Sequence, residues 1–435
     1  MTTVDNVPEL KVDTASGEIS QKVSLNHDKP TLVILGTGFA SYSLLKRINC
    51  ALYHVVVVSP RNYFLFTPLL HSSTVGTVEF RSIIEPVRRW RRCVEFYLAE
   101  CVEVESDRNR ITCKSSESGR LFSLTYDFLV VGTGAVNNTY GIPGVTERAM
   151  FLKDLPDARK IRTRIVRQLE HANVPGLTEA EKRFMLSFVV VGGGPTGVEF
   201  AAELNDFIES DVRRIYPSLY EFVSVTLLEA SGKILSAFDQ SLANYALRLF
   251  ERKRIKVIKG TPVTEVLKDA VRLKDGRLIP FGVLVWSTGI GPTNFVRSLA
   301  FPKDKLQKII TDGFLRVIGT KNIFAAGDCA AIGTKPLPAT AQIAQQEGKY
   351  LARHLNLIIK NKSDHGFHDR NMGMLAYIGS RRALIDLRNV KGRGFGAFLL
   401  WRSIYLTKLV SLRNKILVLM DWLKAIVFGR DVSEF

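Results

Sequence analysis

Phe188-Val-Val-Val-Gly-Gly-Gly-Pro-Thr-Gly197 begins as an apolar run and ends as a glycine-rich turn. A short buried strand, a tight turn and a helical pattern behind it make the first half of a βαβ unit. Its second strand follows at Val225-Thr-Leu-Leu-Glu229. The same order stands earlier in the chain. Thr31–Leu35 runs into Gly36-Thr-Gly-Phe-Ala-Ser41, a helical pattern over Tyr42–Ile48, and a second apolar run, Val55–Val58. Each unit has a later companion, Tyr126-Asp-Phe-Leu-Val-Val-Gly-Thr-Gly134 for the first and Phe281-Gly-Val-Leu-Val-Trp-Ser-Thr-Gly289 for the second. Gly192 follows Gly36 by 156 residues, and Gly289 follows Gly134 by 155. Two motif pairs at nearly one offset point to a duplicated domain.

Between opening and closing, both halves alternate like hairpins: Cys101–Glu105, Arg110–Lys114 and Leu121–Leu124 in the first, Lys256–Ile258, Val263–Leu267 and Val271–Lys274 in the second. Asp154-Leu-Pro156 reads as a helix N-cap with an early proline, and marks the boundary between the halves. Asn322-Ile-Phe-Ala-Ala-Gly-Asp328 has no twin and is expected to return and close the first sheet. The expected architecture is α/β. Two Rossmann-like dinucleotide-binding domains occupy 30–153 with 291–350, and 154–290. A polar tail (1–29) precedes them, and a C-terminal region (351–435) follows.

Length and composition set limits on this reading. The chain has 435 residues, 46% hydrophobic and 23% charged, which fits a multidomain globular protein. Its net charge of +18 calls for an anionic partner such as a membrane surface, a phosphate-bearing ligand or nucleic acid. Five cysteines without a C-x-x-C pair argue against a disulfide scaffold and for a reducing compartment. Residues 1–29 hold three Lys, no Arg and five acids, so neither a secretory signal nor an Arg-rich presequence is read there. No apolar run is long enough for a membrane-spanning helix.

A glycine turn between strand and helix accepts a pyrophosphate, because the backbone can approach closely and the helix start offers free N–H groups. The candidate residues of the first site are Gly36, Gly38, Phe39 and Ala40, with Thr133, Gly134 and Asp328 from the companion strands. Ser41 stands where a third Gly or Ala is usual, and Ser59 stands at the second strand's end in place of a ribose-holding acid. The second site comprises Gly192, Gly194, Pro195, Gly197, Thr288 and Gly289, and here the strand does end in an acid, Glu229. An acid at that point repels a 2′-phosphate and favours NADH over NADPH. Two such sites mean a bound redox cofactor and a diffusing one, for which the usual pair is FAD and a nicotinamide nucleotide.

Electrons must then leave the flavin. Ser59-Pro-Arg-Asn-Tyr-Phe-Leu-Phe-Thr-Pro-Leu-Leu70 follows the first turn and carries no Cys, which removes a thiol relay. Cys329 reads as a small buried thiol. No Cys/His spacing suggests a metal. An acceptor that meets flavin directly, such as a quinone, is left. Trp401, Tyr405, Leu409, Leu412, Ile416, Leu419, Leu423 and Ile426 step by three or four and form an apolar stripe at helical spacing. Residues 397–430 hold six basic residues against Asp421 alone. That is the pattern of a helix lying in a membrane interface, with a core helix pair or a dimer contact as the competing reading.

These residues resemble the type II (alternative, rotenone-insensitive) NADH:quinone oxidoreductases, over about residues 30–435. The carrying segments are Ser59–Leu70, Gly192–Glu203, Ala325–Ala330, Ala339-Thr-Ala-Gln-Ile-Ala-Gln-Gln346, Tyr377–Ser380, Trp401–Tyr405 and Phe428–Asp431. Ser59 matches the mitochondrial-type branch, whereas His71 replaces the proline usual there. The resemblance implies non-covalent FAD in the first domain, touched also by Ser59, Arg61 and Thr67, and NADH in the second. It implies Gln342 and Gln346 at the flavin and quinone, Glu199 near the nicotinamide, a homodimer, and a C-terminal segment on an anionic membrane. The expected activity is non-electrogenic electron transfer from NADH to quinone, on the mitochondrial inner membrane or the cytoplasmic face of a bacterial one. The alternatives are a sulfide:quinone oxidoreductase-like enzyme and a non-respiratory NADH-sensing flavoprotein, the latter with a nucleic-acid partner that the placement of the basic residues disfavours.

Overall fold

A computed structural model describes residues 21–23, 28–333 and 337–433. The chain folds as two compact units, each built from three segments: Met1–Phe64, Pro86–Ala135 and Pro292–Asp369 in the first; Leu65–Glu85, Val136–Gly291 and Arg370–Phe435 in the second.

The first unit is organised on one eight-stranded sheet. Its spatial order is Gln21–Val23, Leu121–Thr125, Arg110–Ser115, Val94–Glu105, His54–Ser59, Thr31–Leu35, Phe128–Val131 and Ile323–Ala325. The right-hand part is parallel, with Thr31–Leu35 between His54–Ser59 and Phe128–Val131. Ile323–Ala325 pairs parallel to Phe128–Val131, closing the sheet as the untwinned segment requires. The long Val94–Glu105 strand begins parallel to His54–Ser59 and ends antiparallel to Arg110–Ser115. It therefore joins the parallel core to the hairpin extension. Alternate side chains divide between two cores. Leu32, Ile34, Val55 and Val57 pack under the Ala341–Ile359 helix with Tyr350, Leu351 and Leu355. Val33, Leu35, Val56 and Val58 face Leu124, Val296 and Val317 on the other side. A fully buried run rather than a half-polar one is the mark of a parallel strand covered on both faces.

Cys50 and Cys93 are disulfide-bonded, a single bridge that the sequence reading, which argued against a disulfide scaffold, did not expect. They lie 43 residues apart in sequence. Cys50 precedes the His54–Ser59 strand, Cys93 precedes its neighbour Val94–Glu105, and parallel pairing brings their Cα atoms to 6.2 Å. Cys101, Cys113 and Cys329 are free and buried. Within the expected polar tail, Gln21–Val23 pairs as a strand beside Leu121–Thr125.

The second unit has a five-stranded parallel sheet: Met150–Phe151, Val283–Trp286, Ser187–Val191, Ser224–Glu229 and Ile255–Lys259. Ile255–Lys259 thus belongs to the parallel sheet and not to the hairpins, as its alternation suggested. Val263–Val266, Ala270–Leu273 and Leu278–Pro280 form the antiparallel extension. Asp154 caps the Leu155–Ala172 helix in a capping box with Asp157. The Pro195–Phe207 helix continues through a π-turn, Ile208–Val212, to Ile215, which accounts for the long interval before Glu229. A third sheet, Met374–Gly379, Arg382–Asp386 and Lys391–Gly394, lies in the same unit.

The C-terminal stripe is divided. Helices Phe395–Lys408 and Leu412–Val427 are separated at Leu409–Ser411. Trp401 and Leu409 are buried, whereas Leu412, Ile416, Leu419, Leu423 and Ile426 are all about half exposed or more. The second helix packs through a different face. Val418 and Trp422 are buried, and Asn414 donates from Nδ2 to the Ser82 and Ile84 carbonyls at 2.8 and 2.9 Å. One stripe read from spacing is therefore a core face followed by an unpartnered apolar face. No helix among the described residues is long and apolar enough to cross a membrane.

Candidate active site

In the first unit the glycine turn is shaped by close approach. Gly36 has φ +98°, and a Cβ there would strike the Gly132 carbonyl. Gly38 and Gly134 face open space instead, so their missing side chains leave room for a ligand. Gly38 is the N-cap of the Phe39–Leu45 helix and supplies no side-chain cap. Ser41 is tolerated because its neighbour across the packing is Gly132, whose absent Cβ would lie 2.6 Å from Ser41 Oγ. Ala40 is pressed equally tightly against Gly348 of the Ala341–Ile359 helix. Ser59 is buried and ties the turn internally: Thr37 Oγ1 lies 3.3 Å from its Oγ, and the Arg61 N–H donates to it at 3.2 Å. The Arg61 guanidinium lies over the Tyr63 ring. A cradle with open glycine faces and an uncapped helix start fits the pyrophosphate of FAD.

A shallow recess in this unit is lined by Gly327, Asp328, Thr340 and Glu347, among others. Thr340 caps the Ala341–Ile359 helix. Glu347 is buried and accepts the Gly327 N–H at 2.6 Å, which holds the turn that carries Asp328. Burial first, and the Asp328 charge second, push the Glu347 carboxyl up to about 7. Sequence reading passed over Glu347, although it directly follows Gln346. Gln342 and Gln346 lie on the first two turns of that helix. Cys329 is wholly buried, its thiol pushed up to about 11 by burial.

In the second unit, Gly192 has φ +116° against Thr288, and a Cβ on Gly197 would strike the Gly192 carbonyl. These two glycines serve close helix–strand packing. Gly194 faces open space and starts the Pro195–Phe207 helix without a side-chain cap, with Pro195 in its first turn. Glu229 stands at the end of its strand. Its two oxygens accept the Gly193 N–H at 2.7 Å and the Ser231 N–H at 2.6 Å. Gly289 lies against the Tyr140 ring. Thr67 begins the Thr67–Leu69 turn in the same unit, apart in the chain's division from the other residues expected around flavin.

Glu199 and Glu203 face the interior from one side of the Pro195–Phe207 helix, four residues apart. Glu199 Oε1 accepts the Tyr377 backbone N–H at 3.0 Å. Its Oε2 lies 3.5 Å from Nδ1 of buried His71. Burial drives Glu199 up to about 8 and His71 down to about 4. Glu203 accepts from Ser72 and Thr77, both at 2.8 Å, and faces Arg430 at 3.6 Å. Arg430 also binds Asp211 at 2.9 Å. Asp206 accepts the Tyr377 hydroxyl and the Ser380 N–H. Of this network only Glu199 was given a role from sequence; His71 was noted as replacing a proline, and Tyr377 and Arg430 only as parts of carrying segments. A signal for Glu203 was present: Val198-Glu-Phe-Ala-Ala-Glu-Leu204 sets the two acids on one helix face among apolar neighbours, so Glu203 shares the surroundings of Glu199.

Residues 30–348 match the pyridine nucleotide-disulphide oxidoreductase family, and residues 371–431 match the NDH2 C-terminal domain. A probable NADH dehydrogenase of Dictyostelium discoideum is 47% identical over 93% of this chain and 91% of its own length. The chain belongs to the type II NADH:quinone oxidoreductases. A mitochondrial internal alternative NAD(P)H-ubiquinone oxidoreductase A1 of Solanum tuberosum is 42% identical over 96% of this chain and 90% of its own. The type II enzyme NDH2 of Plasmodium falciparum, solved with NADH, superposes with a TM-score of 0.90 at 27% identity, covering 93% of this chain and all of that one. The sulfide:quinone oxidoreductase of Aquifex aeolicus shares the fold at a TM-score of 0.70 and 18% identity.

Proposed function

We propose that this type II enzyme holds FAD non-covalently in the first unit and NADH in the second, and transfers two electrons from NADH to a quinone without pumping protons. The carrying observation is the pair of glycine turns whose middle positions, Gly38 and Gly194, open onto free space at an uncapped helix start. FAD, when bound, supplies the hydride acceptor and passes the electron pair to the quinone. The chain's own residues position and exclude. Gly36, Gly38, Phe39, Ala40, Ser59, Arg61, Thr67, Thr133, Gly134 and Asp328 are assigned to FAD. Gly192, Gly194, Pro195, Gly197, Glu229, Thr288 and Gly289 are assigned to NADH. Gln342 and Gln346 serve the quinone side. Glu199, held as a protonated carboxyl near neutral pH by burial, supplies a proton. The purified protein tests this reading: denaturation should release about one FAD per chain, by the one-site logic of the first turn, and NADH should reduce a short-chain quinone. Recovery of FMN, or no quinone turnover, overturns it.

Membrane attachment rests on the exposed face of Leu412–Val427 with Arg413, Lys415 and Lys424 on the same helix, whose partner is an anionic bilayer surface. The mitochondrial names of the plant and fungal relatives support a peripheral place on the mitochondrial inner membrane. The same apolar face in a homodimer is the second reading. A sulfide-oxidising role would need reactive cysteines at the flavin, and the buried Cys329 thiol is the wrong kind.

A further inference from the structure

His71 lies on the short Leu70–Ser73 helix and has no solvent contact to speak of. Its Nδ1 faces Glu199 Oε2, and its Nε2 is buried without a hydrogen-bond partner. These contacts leave one way to pair the two groups with both of them uncharged. Glu199 Oε1 already takes an N–H from Tyr377, the role of a carbonyl oxygen. Oε2 is then the hydroxyl oxygen, and His71 Nδ1 is the lone pair in front of it. That arrangement puts the ring hydrogen on Nε2 and leaves the imidazole neutral. The charged alternative, imidazolium beside carboxylate, would bury two ions with little to compensate them. Arg430 is engaged by Glu203 and Asp211, and Arg402 acts on Tyr377 and Glu203 rather than on this pair. The other groups facing the pair are Glu203 from the same helix as Glu199, Tyr377 from the Met374–Gly379 strand with Asp206 behind it, and Trp401 and Tyr405 from Phe395–Lys408, of which the Trp401 indole works against burial by favouring the ionised Glu199.

We propose that His71 is a positioning residue that accepts the hydrogen bond of a protonated Glu199 and so fixes on that carboxyl the one proton that quinone reduction draws from the medium. The balance fits, given the quinone reductase reading on which this rests. NADH delivers two electrons and one hydrogen as hydride, and a quinol needs two hydrogens. The second leaves Glu199 as a proton, the O–H electron pair stays on the carboxylate, and water reloads it. The low His71 value and high Glu199 value bracket a window from about 4 to about 8 in which the pair holds this single proton.

Infrared difference spectra of the oxidised holoenzyme near pH 7 test the pairing without any quinone. A protonated carboxyl band should be present and should vanish in Glu199→Gln. In His71→Leu it should move to higher frequency, as a carboxyl that has lost its acceptor does, and His71→Gln should bring it part of the way back. In stopped flow, His71→Leu should slow flavin reoxidation by quinone about tenfold or more, the low end of acid–base effects, while flavin reduction by NADH stays within about twofold. An absent band, or a band unmoved in His71→Leu, overturns the proposal. Should His71→Leu lose its flavin, nitrogen NMR of the wild-type imidazoles decides: His71 must stay neutral with Nδ1 bare between pH 5 and 8, and protonation there overturns it. A wild type with the band but without quinone turnover would instead refute the functional reading alone.

Discussion

Two carboxylates, Glu229 at the end of its strand and Glu347 on the Ala341–Ile359 helix, each give a measurable consequence. Glu229 stays where a ribose or a 2′-phosphate would arrive, so like charges at ~4 Å cost on the order of 1–4 kcal/mol. The kcat/KM for NADH should exceed that for NADPH by roughly tenfold or more, and Glu229→Gln should narrow the gap. Equal use of both by the wild type shows that Glu229 has only its backbone role at Gly193 and Ser231. Glu347 is a buried carboxyl on the Ala341–Ile359 helix. Its folded value, about 7, lies above the ordinary 4.5, so its protonated form is favoured by the fold. Stability is then fully present below pH 4.5 and is lost as pH rises through 7, by about 3 kcal/mol at most. Thermal melts of wild type should fall across that window, and Glu347→Gln should flatten the fall. A glutamate inside Gln-Gln-Glu-Gly348 looks like any helix surface residue from sequence; only the return of Gly327 to the helix makes it a buried tether.

At the scale of elements, the parallel strands, both glycine turns and the Asp154 cap were legible because each is written locally, in apolar runs and in residues with one conformational use. The hairpin reading of Ile255–Lys259 failed because alternation along a strand reports one-sided burial and not the direction of its neighbour. The C-terminal stripe failed for a related reason: spacing by three and four continues across Leu409–Ser411, where the helix does not. The two helices therefore predict different losses. Trp401→Ala should destabilise the protein by about 3–5 kcal/mol, read by denaturant unfolding, since the ring is core. Replacing Leu412, Ile416 and Leu423 by Gln should leave stability within ~0.5 kcal/mol and move the enzyme from the pellet to the supernatant of a membrane spin. High salt alone should not strip the wild type, because salt weakens only the basic residues' share. A triple variant that still pellets removes the membrane assignment.

With FAD proposed for the first unit and NADH for the second, substitutions should separate the two half-reactions. Gln346→Ala should damage quinone reduction more than reduction of the flavin by NADH, measured by stopped-flow bleaching; equal loss would give Gln346 a general role in flavin geometry. The duplicated design was visible in sequence because both copies keep one offset. The return of Leu65–Glu85 to the second unit was not, since its partners are distant in sequence, as where Ser72 and Thr77 donate to Glu203. That return has a consequence in time. Each unit is sewn from three stretches of chain, and the segments of one interrupt the other. On a ribosome, which feeds the chain out at roughly 5–20 residues per second, the first unit lacks its Ile323–Ala325 strand and its covering helix until the chain has passed Ile359. The second waits longer. Glu203, made half a chain earlier, meets its counter-charge only when Arg430 emerges. Until then an acid destined for the interior lacks that ion pair, and the second unit cannot complete this part of its buried network.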